Sequence, residues 1–192
     1  VTLYQNIPKE KQIEFLEKIV ALEKNGSEVI AGKILQLRLN DHYQQSIDRS
    51  IRFITDGANW LSCDIIAERV LGEALLQFPE KTLPVLTTLG RDSDKWKVRA
   101  VGVAIHYAVK KGIHRSFAEA LFHLLLSCSG TSDFHTKKGI GWAAKTLAKF
   151  YPDIIKMNEE KIFNDKMVRQ WFRTKVNIGL SRSFKYAHKY SG

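Results

Sequence analysis

The sequence predicts an all-α fold, a right-handed stack of antiparallel helical pairs with a concave basic groove. Three observations carry this. Helical periodicity recurs along nearly the whole chain, start and stop signals punctuate it at short intervals, and no alternating apolar–polar run of useful length marks a strand.

The helices are expected in the following order. "PKEKQIEFLEKIVALEKNG" starts near Pro8 and stops at Gly26, and "SEVIAGKILQLRL" follows it. "DHYQQSIDRSIRFITDG" takes Asp41 as its N-cap and Gly57 as its stop, and "NWLSCDIIAERVLGEALLQF" starts at an Asn59 cap. "PEKTLPVLTTLG" leads to "SDKWKVRAVGVAIHYAVKKG", capped by Asp92 or Ser93 and closed by Gly112. Then come "RSFAEALFHLLLSC", "FHTKKGIGWAAKTLAKFYPD", "YPDIIKMNEEKIF" and "DKMVRQWFRTKVNIGL". Residues 1–180 read as one domain, and 181–192 as a basic, aromatic tail that frays. Trp60, Trp96 and Trp142 fall near expected helix starts, 36 and 46 residues apart. These separations are comparable to HEAT-type pairs of roughly 40–47 residues, so a HEAT-like α-solenoid is expected.

The chain has 192 residues, 44% of them hydrophobic and 26% charged, which is ordinary for a soluble globular protein with a substantial core. No apolar run approaches the roughly 18 residues of a membrane span. No signal-peptide pattern opens the sequence, which begins at Val1 without a methionine and leaves a trimmed N-terminus open. The two cysteines, Cys63 and Cys128, make neither a metal spacing nor a disulfide framework, so small core residues in a cytoplasmic protein are expected. Thirty Lys and Arg against twenty Asp and Glu give a net charge of +10. That excess suits a polyanionic partner, because neutralising phosphates releases counterions. The charge is spread over many helices, which argues against a membrane-surface amphipath.

The common catalytic patterns are absent: no G-x-x-x-x-G-K-[ST], no G-x-S-x-G and no H-E-x-x-H. The histidines at 42, 106, 114, 123, 135 and 188 form no ligand pair at helical spacing, so neither metal nor cofactor is expected. Within 134–153, Ile140, Ala144, Leu147 and Tyr151 make a core-facing stripe. Lys138, Trp142, Lys145 and Lys149 make a second stripe, a tryptophan set among cations. Trp60 and Asp64 are four apart on one helix, hence neighbours. Lys95, Arg99, Gly102 and His106 share a face on another, while Trp96 belongs to the core stripe with Ala100 and Tyr107. If successive repeats stack, the three rows converge on one groove. Taken singly, each has a plainer explanation: a packing tryptophan, an aspartate favouring the positive end of its helix, a solvated arginine. The residues alone read as a nucleic-acid-binding helical repeat.

"FHTKKGIGWAAKTLAKFYPDII", the W-x-x-R segment in "DKWKVRAVGVAIHYAVKKG" and the W-x-x-x-D segment in "NWLSCDIIAERVLG" resemble AlkD-like DNA alkylation-repair glycosylases, which are HEAT-like and all-helical. The resemblance covers roughly residues 40–180, with 39 residues from Trp60 to Arg99 and 43 from Arg99 to Trp142. It implies a catalytic aspartate at Asp64, active-site tryptophans at Trp60 and Trp142, and a phosphate-contacting arginine at Arg99. Phe134 and His135 would occupy a turn near the DNA, with Lys95, Lys138, Lys145 and Lys149 on phosphates. The family often carries arginine where this chain has Lys145, and an aromatic where it has His135; the chain ahead of Trp60 is about one helical repeat shorter than in longer members.

The implied activity is monofunctional hydrolysis of the N-glycosidic bond of cationic N3- or N7-alkylated purines in duplex DNA, without base flipping. The expected state is a monomer, nucleoid-associated when bound to DNA. The alternative is a non-catalytic HEAT-repeat module that grips DNA without cleaving it.

Overall fold

The computed structural model describes residues 6–8, 11–22 and 26–190. Every regular element in them is helical, and successive helices turn back on one another to make an α-solenoid arrangement. In chain order they are α1 (Gln12–Ala21), α2 (Ser27–Leu37), α3 (Tyr43–Gly57), α4 (Trp60–Ile66), α5 (Glu73–Gln77), α6 (Pro79–Gly90), α7 (Lys95–Lys110), α8 (Arg115–Ser127), α9 (Phe134–Phe150), α10 (Pro152–Met157), α11 (Glu159–Asn164) and α12 (Gln170–Leu180). A π-helical stretch, Ala67–Gly72, joins α4 to α5 in one rod. Parts of the expected first helix, residues 9–10 and 23–25, lie outside the described residues.

Several boundaries differ from the sequence reading, each for a local reason. Asp94, not Ser93 or Asp92, caps α7: its Oδ1 accepts from the Trp96 and Lys97 N–H groups at 2.7 and 3.3 Å. Asp92 instead accepts from the Asp94 N–H and pairs with Lys97 Nζ, both at 2.9 Å, which fixes the loop leading into the cap. Asp41 is not the cap of α3, which starts after His42 with no side-chain cap. Gly57 ends α3 as its last helical residue, and Ala58 takes the left-handed conformation at φ 44°. The segment 151–163 is broken at Asn158 into α10 and α11, and the last long helix begins at Gln170, five residues later than its pattern. Asn59 and Gly112 behave as read: Asn59 Oδ1 accepts from the Leu61 and Ser62 N–H groups at 2.9 Å, and Gly112 turns the chain at φ 87°.

The rod 60–77, α7, α9 and α12 lie side by side and carry most of the long-range packing. Glycines set how closely they meet. A Cβ on Gly102 would lie 2.2 Å from the Gly139 carbonyl carbon, and one on Gly179 would lie 2.3 Å from the Lys145 carbonyl oxygen. Helix α9 is therefore gripped on two sides by backbone. This explains why Thr136, Gly139, Gly141, Ala143, Thr146 and Ala148 are buried in addition to the expected stripe of Ile140, Ala144, Leu147 and Tyr151. Trp142 sits in the middle of α9, so the three tryptophans do not mark equivalent helix starts. Trp96 is a core residue as read, and both cysteines are buried. The tail folds into two short 3₁₀ turns, Ser183–Lys185 and Ala187–Tyr190, and Tyr186 packs edge-on against Phe150 with centroids 5.5 Å apart.

Candidate functional site

The N-terminal ends of three neighbouring helices supply one cluster. Asp64 stands in the second turn of α4, and Arg99 in the second turn of α7. Arg99 donates from Nε to Asp64 Oδ1 at 2.8 Å and from Nη2 to Oδ2 at 2.7 Å, a side-on fork in which each carboxylate oxygen receives one bond. Its Nη1 donates to the His135 carbonyl oxygen of α9 at 3.2 Å, so one guanidinium ties three helices together. The side chains are 9% exposed at Arg99 and 20% at Asp64, which rules out the solvated-arginine explanation. The close approach at Gly102 and Gly139 makes this arrangement possible, since a Cβ on Gly139 would lie 2.5 Å from the Arg99 carbonyl oxygen.

Around this ion pair, Trp60 is 56% exposed, and Phe134 59%. Large aromatics left open to solvent are the exception in a packed domain. Lys138 lies over the Phe134 ring, 5.1 Å from its centroid, and Lys95 is exposed at the start of α7. Phe134 and His135 are the first two residues of α9, not a turn, and Asp133 caps them by accepting from the Thr136 N–H at 2.7 Å. His135 turns inward onto Trp96, with centroids 4.4 Å apart.

Trp60 also lines a cleft of about 720 Å³ between α1, α2, α3 and α4, which carries Glu17, Glu28, Asp56 and Arg52. Glu28 accepts from Ser62 Oγ at 2.8 Å, and Glu17 pairs with Arg49 and Arg52. The sequence reading did not find this cleft, because periodicity within each helix does not tell how successive helices are set against one another.

Trp142 belongs to a second cluster further along the same helices. Its indole stacks on His106 of α7 at 3.9 Å between centroids and 25° between planes. His106 Nδ1 and Thr146 Oγ1 are 2.7 Å apart and hydrogen-bonded. Burial pulls the His106 imidazole down to about 4, helped by the charges of Lys110, Lys145 and Lys149, so it is a neutral platform at pH 7. Arg99, Gly102 and His106 thus share the face read for them, and that face meets α9. Lys145 and Lys149 are half-buried beside this stack. Burial lowers the affinity of both for a proton, and neighbouring cations add to it: Lys175 and Arg182 beside Lys145, and Lys145, Lys110, Arg182 and Lys189 beside Lys149. By helical rise, Lys149 lies about 16 Å along α9 from Lys138, so the predicted cationic stripe serves two clusters rather than one.

Among the described residues no group of three His, Cys, Asp or Glu side chains is placed to hold a metal ion, and no helix is long and apolar enough to cross a membrane. Cys63 is packed under the site with Sγ 3.4 Å from the Trp96 carbonyl oxygen, and burial pushes its thiol up to about 12, which makes it a packing residue.

Searches of curated proteins and of solved structures returned no match. The family sequence model described as "DNA alkylation repair enzyme" matches residues 2–157, which takes in Trp60, Asp64, Arg99, Phe134, Trp142 and the lysines of α9. With most of its length matched, the chain belongs to the DNA alkylation repair enzyme family.

Proposed function

We propose that the protein is a monofunctional DNA glycosylase that hydrolyses the N-glycosidic bond of cationic N3- or N7-alkylated purines in duplex DNA. The observation that carries this reading is the Asp64 carboxylate, held by the Arg99 fork one helical turn from the exposed face of Trp60.

Alkylation at N3 or N7 makes the purine a cationic leaving group. Its bond to C1′ breaks with the electron pair leaving on the base, which departs neutral and needs no general acid. Positive charge develops on the sugar ring, as in glycoside hydrolysis. Asp64 stabilises that charge and takes a proton from the water that adds to C1′, leaving an abasic sugar. The Arg99 fork uses one acceptor site on each oxygen, so each retains a lone pair for water or sugar. Arg99 has five N–H donors, three of them engaged, and the rest are available to a phosphate. Trp60 and Trp142 offer π-faces to the developing cation and keep water out. Phe134, Lys95 and Lys138 meet the duplex beside the ion pair; His135 acts through its carbonyl group on Arg99. Lys145 and Lys149 bind phosphates further along. The chain acts as a monomer from the backbone side, without enclosing the base, so selectivity rests on the charge and lability of the lesion.

The second reading is a module that grips DNA without cleaving it. Engagement of both Asp64 oxygens by Arg99 favours it, since an ion pair made through both oxygens also serves as a structural strut. Base release from duplex DNA containing 7-methylguanine, with the natural chain and Asp64→Asn compared, separates the two. The glycosylase reading expects release by the natural chain and a loss of at least about tenfold in the variant. Salt-sensitive binding with no release by either chain would establish the module.

A further inference from the structure

The Asp64–Arg99 pair of the glycosylase reading lies at the N-terminal ends of the stacked helices. Toward the C-terminal ends of α7 and α9 lies a concentration of positive charge, part of it beyond the family match, which ends at residue 157. Residues 166–192 contain seven Lys and Arg and no Asp or Glu. Three of these, Lys175 on α12 and Arg182 and Lys189 in the tail, are brought against the Lys145–Lys149 stretch of α9, which also faces Lys110 at the end of α7. The clustering is built in by backbone. Gly179 lets α12 press onto the Lys145 carbonyl group, and a Cβ on Gly141 would sit 3.0 Å from Lys175 Cγ, so the Lys175 stem is held along α9.

The tail is anchored at the same place. Tyr186 packs edge-on against Phe150, and Lys149 Nζ lies 4.1 Å from the Tyr186 centroid and 4.6 Å from that of Phe150. Like charges gathered from four segments repel one another, and folding them together raises the energy of the unliganded protein. Such an arrangement is relieved by a polyanion with several charges at fixed spacing. Lys138 and Lys149 are about 16 Å apart along α9, close to five base-pair steps of a duplex at 3.4 Å each, so one helix can reach phosphates about five steps apart.

We infer that Lys110, Lys145, Lys149, Lys175, Arg182 and Lys189 form a second phosphate-binding platform for the DNA duplex, contributed in half by the C-terminal segment beyond the family match. It rests on the proposal that duplex DNA is the substrate, and it extends the surface of Lys145 and Lys149 through the C-terminal segment and gives it a separate task. The platform holds undamaged duplex flanking the lesion and sets overall affinity, whereas Asp64 and its neighbours set the rate of base release.

The test is the triple variant Lys175→Gln, Arg182→Gln, Lys189→Gln, which keeps most of the side-chain stems and removes three charges. None of the three has been placed in the catalytic machinery. Binding to an undamaged duplex is measured by fluorescence anisotropy from 50 to 200 mM salt. The slope of log affinity against log salt should fall by roughly 2 to 3, near 0.9 for each phosphate left without its cation. Affinity near 150 mM should drop by roughly tenfold or more, while single-turnover base release from 7-methylguanine duplex at saturating protein stays within about twofold. The charge-conserving variant Lys175→Arg, Lys189→Arg should keep the natural slope, which a purely structural role for these residues would not require. An unchanged slope in the triple variant overturns the platform even if base release is intact. A natural chain that binds with a steep slope and releases no base overturns the glycosylase reading and leaves the platform standing. No duplex binding by the natural chain overturns both.

Discussion

Arg99 meets Asp64 side-on, with Nε and Nη2 at 2.8 and 2.7 Å from the two carboxylate oxygens, and the pair spans two helices 35 residues apart in the chain. The same guanidinium reaches the His135 carbonyl oxygen. The guanidinium is therefore committed to fixing Asp64 between the helices, and the proposed glycosylase has only its remaining edge to offer a phosphate.

This division of labour is tested by Arg99→Lys. Lysine keeps the charge but has one point of attachment and cannot hold two oxygens and a carbonyl in one plane. Base release at saturating DNA should fall roughly tenfold or more, while duplex affinity changes by less than about threefold. Single-turnover release and anisotropy titrations on the same preparation give both numbers. Affinity that collapses while the rate holds would make Arg99 a phosphate ligand and leave Asp64 held by something else.

Why the sequence showed some of this and not the rest follows from what periodicity encodes. The core stripe of α9 was legible because Ile140, Ala144, Leu147 and Tyr151 recur at helical spacing, and so was the shared face of Arg99, Gly102 and His106. The second and third buried faces of α9 were not, since Gly139, Gly141, Ala143 and Ala148 carry no apolar bulk to count. Their density around Trp142 was the available signal of helices packed backbone to backbone. The ion pair is not legible either: spacing puts Asp64 and Arg99 on plausible faces, but only the packing of α7 against α4 brings the two side chains together. The cap of α7 is not legible in the sequence because three carboxyl or hydroxyl residues, Asp92, Ser93 and Asp94, compete within one loop, and the hydrogen-bond geometry chooses the last. The π-helical stretch at Ala67–Gly72 has no periodic signature in a segment this short.

Gly102 is the residue on which the two clusters depend jointly. A methyl group there would fall 2.2, 2.3 and 2.5 Å from the Gly139 carbon, the Gly139 oxygen and the Ile140 nitrogen, all backbone atoms that no rotamer change can move aside. Gly102→Ala must separate α7 from α9, which pulls Arg99 from His135 at one end and His106 from Trp142 at the other. Destabilisation of about 3 kcal/mol is expected, at the upper end for overpacking. Chemical denaturation should register it, with base release lost in the fraction that remains folded. Gly130→Ala is the control, because its methyl group would meet only the Met167 carbonyl oxygen at 3.4 Å, an ordinary separation. Equal stability of the two variants would show that the helices can part at Gly102 without cost.

The His106–Trp142 stack gives a pH dependence whose sign follows from the imidazole. In the unfolded chain the ring takes a proton near 6.5, whereas burial and the charges of Lys110, Lys145 and Lys149 hold it down to about 4 in the folded protein. Between those values the unfolded state binds more protons, so stability is complete above about pH 6.5 and is lost as the pH falls toward 4. The full effect is on the order of 3 kcal/mol. Denaturant midpoints of the natural chain should therefore fall between pH 7 and 4.5, and this part of the decline should be absent from His106→Phe, which keeps a ring against Trp142 but cannot protonate. The proton signals of the His106 ring should stay still from pH 8 to 5.5. Titration of His106 near 6.5 would mean that water and protons reach the stack freely. In that case Trp142 would lack the neutral platform that holds its indole in place beside Lys145 and Lys149.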